Sequence, residues 1–171
     1  MLLLRIEELK DGKVVRLEIG ATPITSALIK EGKSLMVESF GGSLNLIIWI
    51  ILTIGALYYS FRCLFQTKAF NDQYGFGDQA IFITRFAGSQ VGAAALISIF
   101  LLFNGPSGAW AFVAYGWTQA LIAAISGYRT LNSEWADIEG VKPTAEGYIA
   151  PIIFLILYSA LLYNMGDILY A

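Results

Sequence analysis

The sequence predicts an all-α membrane protein, a four-transmembrane-helix bundle with a small N-terminal β-hairpin appendage. Three observations carry that prediction. Four long apolar runs, Leu44–Phe61, Phe86–Phe103, Ala109–Tyr128 and Tyr148–Tyr163, each approach the roughly 20 residues a helix needs to cross a hydrocarbon core of about 30 Å. Of 171 residues, 57% are hydrophobic and only 14% are charged, against roughly 25% charged in soluble domains. The charges are also segregated, because the middle of each run carries no Asp, Glu, Lys or Arg. The runs lack the period-two alternation of outer-membrane strands, and one chain with four such runs cannot close a barrel, so helices are the expected form.

The chain divides into residues 1–43, a hairpin plus a short amphipathic segment, and residues 44–171, the bundle. Residues 2–19 pattern as two strands joined by a type I′ turn at Asp11-Gly12. That turn sets Glu7 opposite Arg16 and Arg5 opposite Glu18 on one face, and Ile6 opposite Leu17 and Leu4 opposite Ile19 on the other. Cross-strand pairs of this kind contribute about 0.2–1 kcal/mol each. Arg5, Glu7, Glu8 and Lys10 interrupt the opening leucines, so the first 20 residues do not read as a signal peptide. Thr22-Pro23 is suited to start a short helix, with Thr22 as N-cap and Pro23 at the first helical position. A hairpin this small is marginal alone, so its apolar face is expected against the bundle end, the membrane surface or a partner subunit.

The first span carries a polar stripe of Asn45, Trp49, Thr53, Ala56, Tyr59, Ser60 and Cys63, expected to face inward. The second and third spans are joined by the short linker Asn104-Gly105-Pro106-Ser107-Gly108, which predicts antiparallel neighbours. Their small-residue stripes, Gly88 and Gly92 on one and Gly116, Ala120, Ala123 and Gly127 on the other, are expected to meet, since small residues let helix backbones approach in lipid. The alternative use of those stripes is a homodimer interface. In the fourth span Tyr148 and Ser159 should turn inward, and Pro151 is placed in the first turn, where its missing N–H matters little. Aromatic residues gather near span ends, as in interfacial belts. Lys and Arg favour the first–second and third–fourth loops, which predicts those loops in the cytoplasm and both termini outside.

Several chemistries are excluded. There is no histidine, Cys63 is the only cysteine, and net charge is −2. His-ligated haem, Cys/His zinc sites, iron–sulfur clusters, disulfides, the Ser-His-Asp triad and nucleic-acid binding are therefore not expected. No metal site, nucleophile–base pair or phosphate-cradling glycine loop is recognisable, so no catalytic residue is assigned.

The polar residues that remain cluster in the two long loops, which lie on the same side of the membrane in either orientation. Together they are expected to form a mouth holding Arg85, Arg129, Asp72, Asp78, Glu134 and Asp137. In a functional reading Arg85 clamps an anion, a lipid headgroup or a quinone oxygen at the interface. In a structural one it snorkels or pairs with Glu134 or Asp137. Gln90 and Gln119 are costly within lipid and are expected to hydrogen-bond between helices.

Span order, with Tyr74-Gly75 ahead of Arg85-Phe86-Ala87-Gly88, Gly127-Tyr128-Arg129 closing the third span, and Asp137 and Gly140 before Lys142-Pro143, resembles the DoxX-like group of small four-helix membrane proteins. The resemblance covers about residues 70–165 and implies the four-helix architecture. It also implies a link, known for some members, to quinone-linked oxidoreductase systems as small subunits. No catalytic residue is carried over. The expectation is a non-catalytic accessory or structural subunit of a membrane complex, with lipid and protein subunits or its own copies as partners. Its rivals are a quinone- or lipid-binding module linked to an oxidoreductase system and a small oligomeric channel or transporter.

Overall fold

The computed structural model describes residues 2–5, 18–21, 32 and 35–171. Strands β1 (Leu2–Arg5) and β2 (Glu18–Ala21) pair antiparallel, with Leu4 opposite Ile19 and Arg5 opposite Glu18. The connecting turn expected at Asp11-Gly12 and the helix start expected at Thr22-Pro23 lie outside the described residues.

A helical turn over 35–39 leads through Gly41 and Gly42, both at positive φ, into helix α1 (Ser43–Phe65). A short helix α2 (Thr67–Tyr74) and a 3₁₀ turn (Asp78–Ala80) precede α3 (Ile81–Asn104). Then follow α4 (Trp110–Leu131), a 3₁₀ turn (Glu134–Asp137), α5 (Glu146–Asn164) and the single turn α6 (Gly166–Leu169). Among the described residues three helical segments are long and apolar enough to cross a membrane: Ser43–Phe65, Asp78–Asn104 and Glu146–Asn164. The run expected as the third span forms α4 but is less apolar. Tyr115, Thr118, Gln119 and Ser126 share one strip of that helix at 100° per residue, and they lower its hydropathy.

The four long helices pack as two antiparallel pairs, α1 with α3 and α4 with α5, joined where α1 meets α5. This corrects the expected meeting of α3 and α4. Those two are consecutive in sequence but are not closely packed, and each small-residue stripe is used elsewhere. A Cβ on Gly88 would stand 2.5 Å from the Cys63 Cβ, and one on Gly92 would stand 2.5 Å from Ser60 Oγ, so that stripe seats α1. On α4, Gly116 lies against the Tyr158 ring and Gly127 against the Gly147 carbonyl oxygen, so that stripe seats α5. Ala120 is buried on the same side, while Ala123 is only half-buried. A five-residue linker fixes which helices follow one another, but side-chain fit decides which of them touch.

Hydroxyls stitch the α1–α3 pair. Trp49 Nε1 donates to the Ser98 carbonyl at 3.2 Å, Thr53 Oγ1 and Ser98 Oγ lie 2.6 Å apart, and Ser60 Oγ donates to the Gly88 carbonyl at 2.9 Å. The expected inward stripe of α1 is accordingly buried at Asn45, Trp49, Thr53, Ser60 and Cys63, but Ala56 is half-buried and Tyr59 is exposed. On α5 the inward expectation fares worse. Tyr148 is half-buried, and Ser159 is exposed although it accepts a 2.9 Å bond from Trp117 Nε1.

Pro151 is also repositioned. The helix begins at Glu146, so Pro151 lies in its interior rather than its first turn. Its missing N–H leaves the Gly147 carbonyl without an i+4 donor. That is the carbonyl Gly127 approaches, so the freed acceptor faces the Cα–H of a glycine, a geometry suited to a weak C–H···O contact.

The core lies at the end where α1 and α4 start and α3 and α5 finish. Phe40, Trp49, Val113, Leu161, Met165 and Leu169 are all buried there. Phe40 meets Trp49 edge-on at 5.2 Å between centroids, and Trp49 lies 6.0 Å from Phe112. At the opposite end α3 and α4 diverge, and α2 with the 132–145 loop fills the space between.

Candidate functional site

The divergent end is built by two segments that lie far apart in sequence. The α2 segment is held by its own polar residues. Thr67 Oγ1 donates to the Cys63 carbonyl at 2.7 Å, and buried Asn71 accepts from Thr84 Oγ1 at 2.8 Å and donates to the Gly77 carbonyl at 3.2 Å. The helix closes on Gly75 in the left-handed region, φ 72°. There the chain meets the second segment. The Lys142 amide donates to the Tyr74 carbonyl at 3.1 Å, and Lys142 Nζ donates to the Asp72 carbonyl at 3.0 Å. Tyr74 Oη donates to Glu146 Oε2 at 2.9 Å.

Between these segments and the first turns of α3 lies a cavity of about 540 Å³, broadly open on one side. Its wall is aromatic: Tyr59 from α1, Phe70 from α2, Phe76 and Trp135 from the loops. Ile83, Thr84 and Ala87 of α3 complete one side, and Ile138, Glu139 and Val141 the other. The rings brace each other, with Phe70, Tyr74 and Phe76 mutually in contact and Phe76 6.0 Å from Trp135. Beneath them Arg62 donates to Gln73 Oε1 at 2.7 Å and lies 5.6 Å from the Phe70 ring centroid. A volume of this order, mostly apolar with few polar groups, suits a small amphiphile or one segment of a lipid chain.

The two loops meet as expected of loops on one side of a membrane, but the charged residues proposed for the mouth do not converge. Arg85 is exposed and donates from Nε to Thr67 Oγ1 at 3.2 Å. It pairs with neither Glu134 nor Asp137. Among the described residues the ion pair formed is Lys68–Asp78, at 3.8 Å on the surface. Such a pair contributes little in water. Arg129, Glu134 and Asp137 are exposed. None of these residues lines the cavity. Gln90 is exposed and Gln119 half-buried, and neither has a hydrogen-bond partner among the described residues, so the expected interhelical bonds are absent. The reason is the helix pairing itself: with α3 on α1 and α4 on α5, the two amides are carried on helices that do not pack together. Among the described residues there is also no group of acidic or Cys side chains arranged to hold a metal.

In sequence the four rings that wall the cavity look like the other aromatics of the two loops and span ends, so the loops are marked but the wall is not. Tyr74 and Glu146 are 72 positions apart, and no local pattern links them. The usable signal was Gly75 and Gly140, each in a turn and each at positive φ.

Burial, reinforced by the hydrogen bond to Glu146, pushes the Tyr74 phenol from 10.0 up to about 12. The neutral phenol is therefore favoured in the folded state. The stabilisation it brings is fully present below pH 10 and is lost as pH rises from 10 towards 12. Tyrosinate absorbance, compared between the protein and Tyr74→Phe, should show this group ionising well above pH 10. In Glu146→Gln its midpoint should fall towards 10. No family model, curated protein or solved structure matches this chain.

Proposed function

We propose that this protein is a multi-pass membrane protein whose divergent end receives a membrane amphiphile, a lipid or a quinone, in the aromatic cavity between α3 and the 135–141 segment. The observation carrying this reading is a cavity of about 540 Å³ walled by four rings at the end of the membrane-length helices. Rings from separate segments give a flat or branched apolar group broad contact at little entropic cost, since each ring is already braced. In this reading α4 also spans, as the third of four helices, and both loops face the cytoplasm. The hairpin docks on the bundle end or on a partner, and the protein performs no catalysis of its own.

Mass spectrometry of amphiphiles retained after extraction in mild detergent tests the reading. Ala87, half-buried on α3, lines the cavity without supporting its roof. The wild type should retain a discrete species enriched over bulk lipid, and Ala87→Phe should lose it at least tenfold. Retention of bulk lipid alone, or equal retention by both proteins, would overturn it.

A second reading, the accessory subunit of a larger complex, is favoured by Gln90 and Gln119. Unpaired amides near mid-membrane are costly, and a partner helix is the ordinary remedy. Companions that co-purify in fixed stoichiometry would support it, and a chain that always isolates alone would count against it.

A further inference from the structure

We propose that the aromatic cavity takes the head of a cationic amphiphile, an alkylated ammonium group, held by the rings of Tyr59, Phe70, Phe76 and Trp135 and by the Glu139 carboxylate. This rests on the amphiphile reading above and narrows it, since a quinone carries no such charge. The four rings follow one another round the cavity. Tyr59 meets Phe70 at 5.8 Å between centroids, Phe70 meets Phe76 at 6.5 Å, and Phe76 meets Trp135 at 6.0 Å. Neighbouring planes turn by 89°, 55° and 52° along that series, so the rings curve round the space instead of stacking flat. Ring faces carry the negative side of the π quadrupole, and a curved wall brings several rings to bear on one cation. The same attraction already operates within the chain, where the Arg62 guanidinium lies 5.6 Å from the Phe70 centroid. Arg62 itself does not line the cavity, and Tyr58 and Gln73 engage it.

Charge points the same way. Among the described residues that line the cavity, the charged group is the exposed carboxylate of Glu139. The 132–145 loop that carries it has three acids, Glu134, Asp137 and Glu139, against one lysine, and Lys142 is turned to the Asp72 carbonyl. This bias draws cations and opposes a phosphate or carboxylate head. An alkylated ammonium suits rings better than a primary amine, because its methyl groups lie against them and it has fewer N–H donors to satisfy. The apolar chain has a route of its own. Ile83 and Ala87, one turn apart on α3, both line the cavity, and Ala87 lies a turn deeper in that membrane-length helix. A head at the level of Trp135 and Glu139 therefore leaves its chain running along α3 into the membrane.

Displacement of radiolabelled dodecyltrimethylammonium from the full-length protein in a neutral maltoside detergent tests the proposal. Binding should be saturable. Dodecanol, with the same chain and no charge, should compete about five- to thirtyfold more weakly, the range of a cation held by rings with a carboxylate beside it. Glu139→Gln should weaken the cation about two- to fivefold and leave dodecanol unchanged. Trp135→Leu should also weaken the cation, and Trp135→Phe, which keeps a ring, should recover most of that loss. Ala87→Phe should weaken both ligands alike, which locates them in this cavity. Dodecylphosphocholine separates two sources of the head: competition equal to that of the simple cation indicates a choline-type lipid, and weaker competition a free organic cation. Equal competition by dodecanol and the cation, or an unchanged ratio of the two in Glu139→Gln, overturns the inference and leaves the amphiphile reading standing. Absence of saturable binding by either ligand, or equal binding by Ala87→Phe and the wild type, overturns both.

Discussion

Valine in place of Gly127 should part α4 from α5 and destabilise the bundle by about 2–4 kcal/mol, the upper range for overpacking. The expectation rests on what stands opposite. A side chain at 127 would run into the Gly147 carbonyl, and a backbone oxygen cannot rotate away as a side chain can. Pro151 has already taken that carbonyl's helical donor, so displacement also strands a polar group that the glycine now covers. Unfolding by sodium dodecyl sulfate in mixed micelles, followed by circular dichroism, measures the effect. Gly166→Ala is the control, because nothing lies within 4 Å of a Cβ there. Equal midpoints for the two variants would mean that the close approach does not hold the pair together.

Alanine in place of Gly75 should detach the 132–145 loop from α2 at a local cost of about 2–3 kcal/mol. Two effects combine. At φ 72° an L-residue is disfavoured by about 1–2 kcal/mol, and its Cβ would also occupy the position of the Gly140 carbonyl. The Lys142–Tyr74 amide bond and the Phe76–Trp135 contact should then be lost, opening the cavity roof. Gly77→Ala separates the two effects, since at φ 69°, ψ 172° an L-residue is strained at least as much, yet the space around it is open. Trp135 emission should shift to longer wavelength, and the Lys142 amide should exchange faster, in Gly75→Ala far more than in Gly77→Ala. If both variants behave alike, backbone strain alone is acting and the Gly75–Gly140 approach is not the anchor.

The sequence located the helices better than it located their contacts. Long apolar runs exist because lipid demands them, so α1, α3 and α5 were readable from hydropathy. Each helix extends a few residues past its run on the loop side, where Arg62, Thr84 and Glu146 continue the backbone pattern in a polar setting. Pairing was not readable. Gly88 and Gly92 announce a close approach but not whose backbone approaches, and Ser60 and Cys63 on α1 fill that place rather than α4. The site showed the same division. That the two loops share one side follows from counting spans, and they do meet. Arg85 and Arg129 carry charge near a membrane, which usually marks function, yet both are exposed and neither lines the cavity. The cavity is made instead by four rings and two turn glycines, whose significance appears only after the chain has brought positions some 60–70 apart into register.

The two helix pairs are held by the same forces in different proportion, and that difference sets how each responds to its surroundings. Between α1 and α3 the adhesion comes from hydroxyl and indole bonds, which grow stronger as the medium becomes drier. Between α4 and α5 one such bond, from Trp117 Nε1 to the exposed Ser159, accompanies a contact made mainly by close fit at Gly116 and Gly127. A solubilising agent that lets moisture reach the interior therefore loosens the α1–α3 half more than the other, so the choice of detergent decides how evenly a purified sample preserves the bundle.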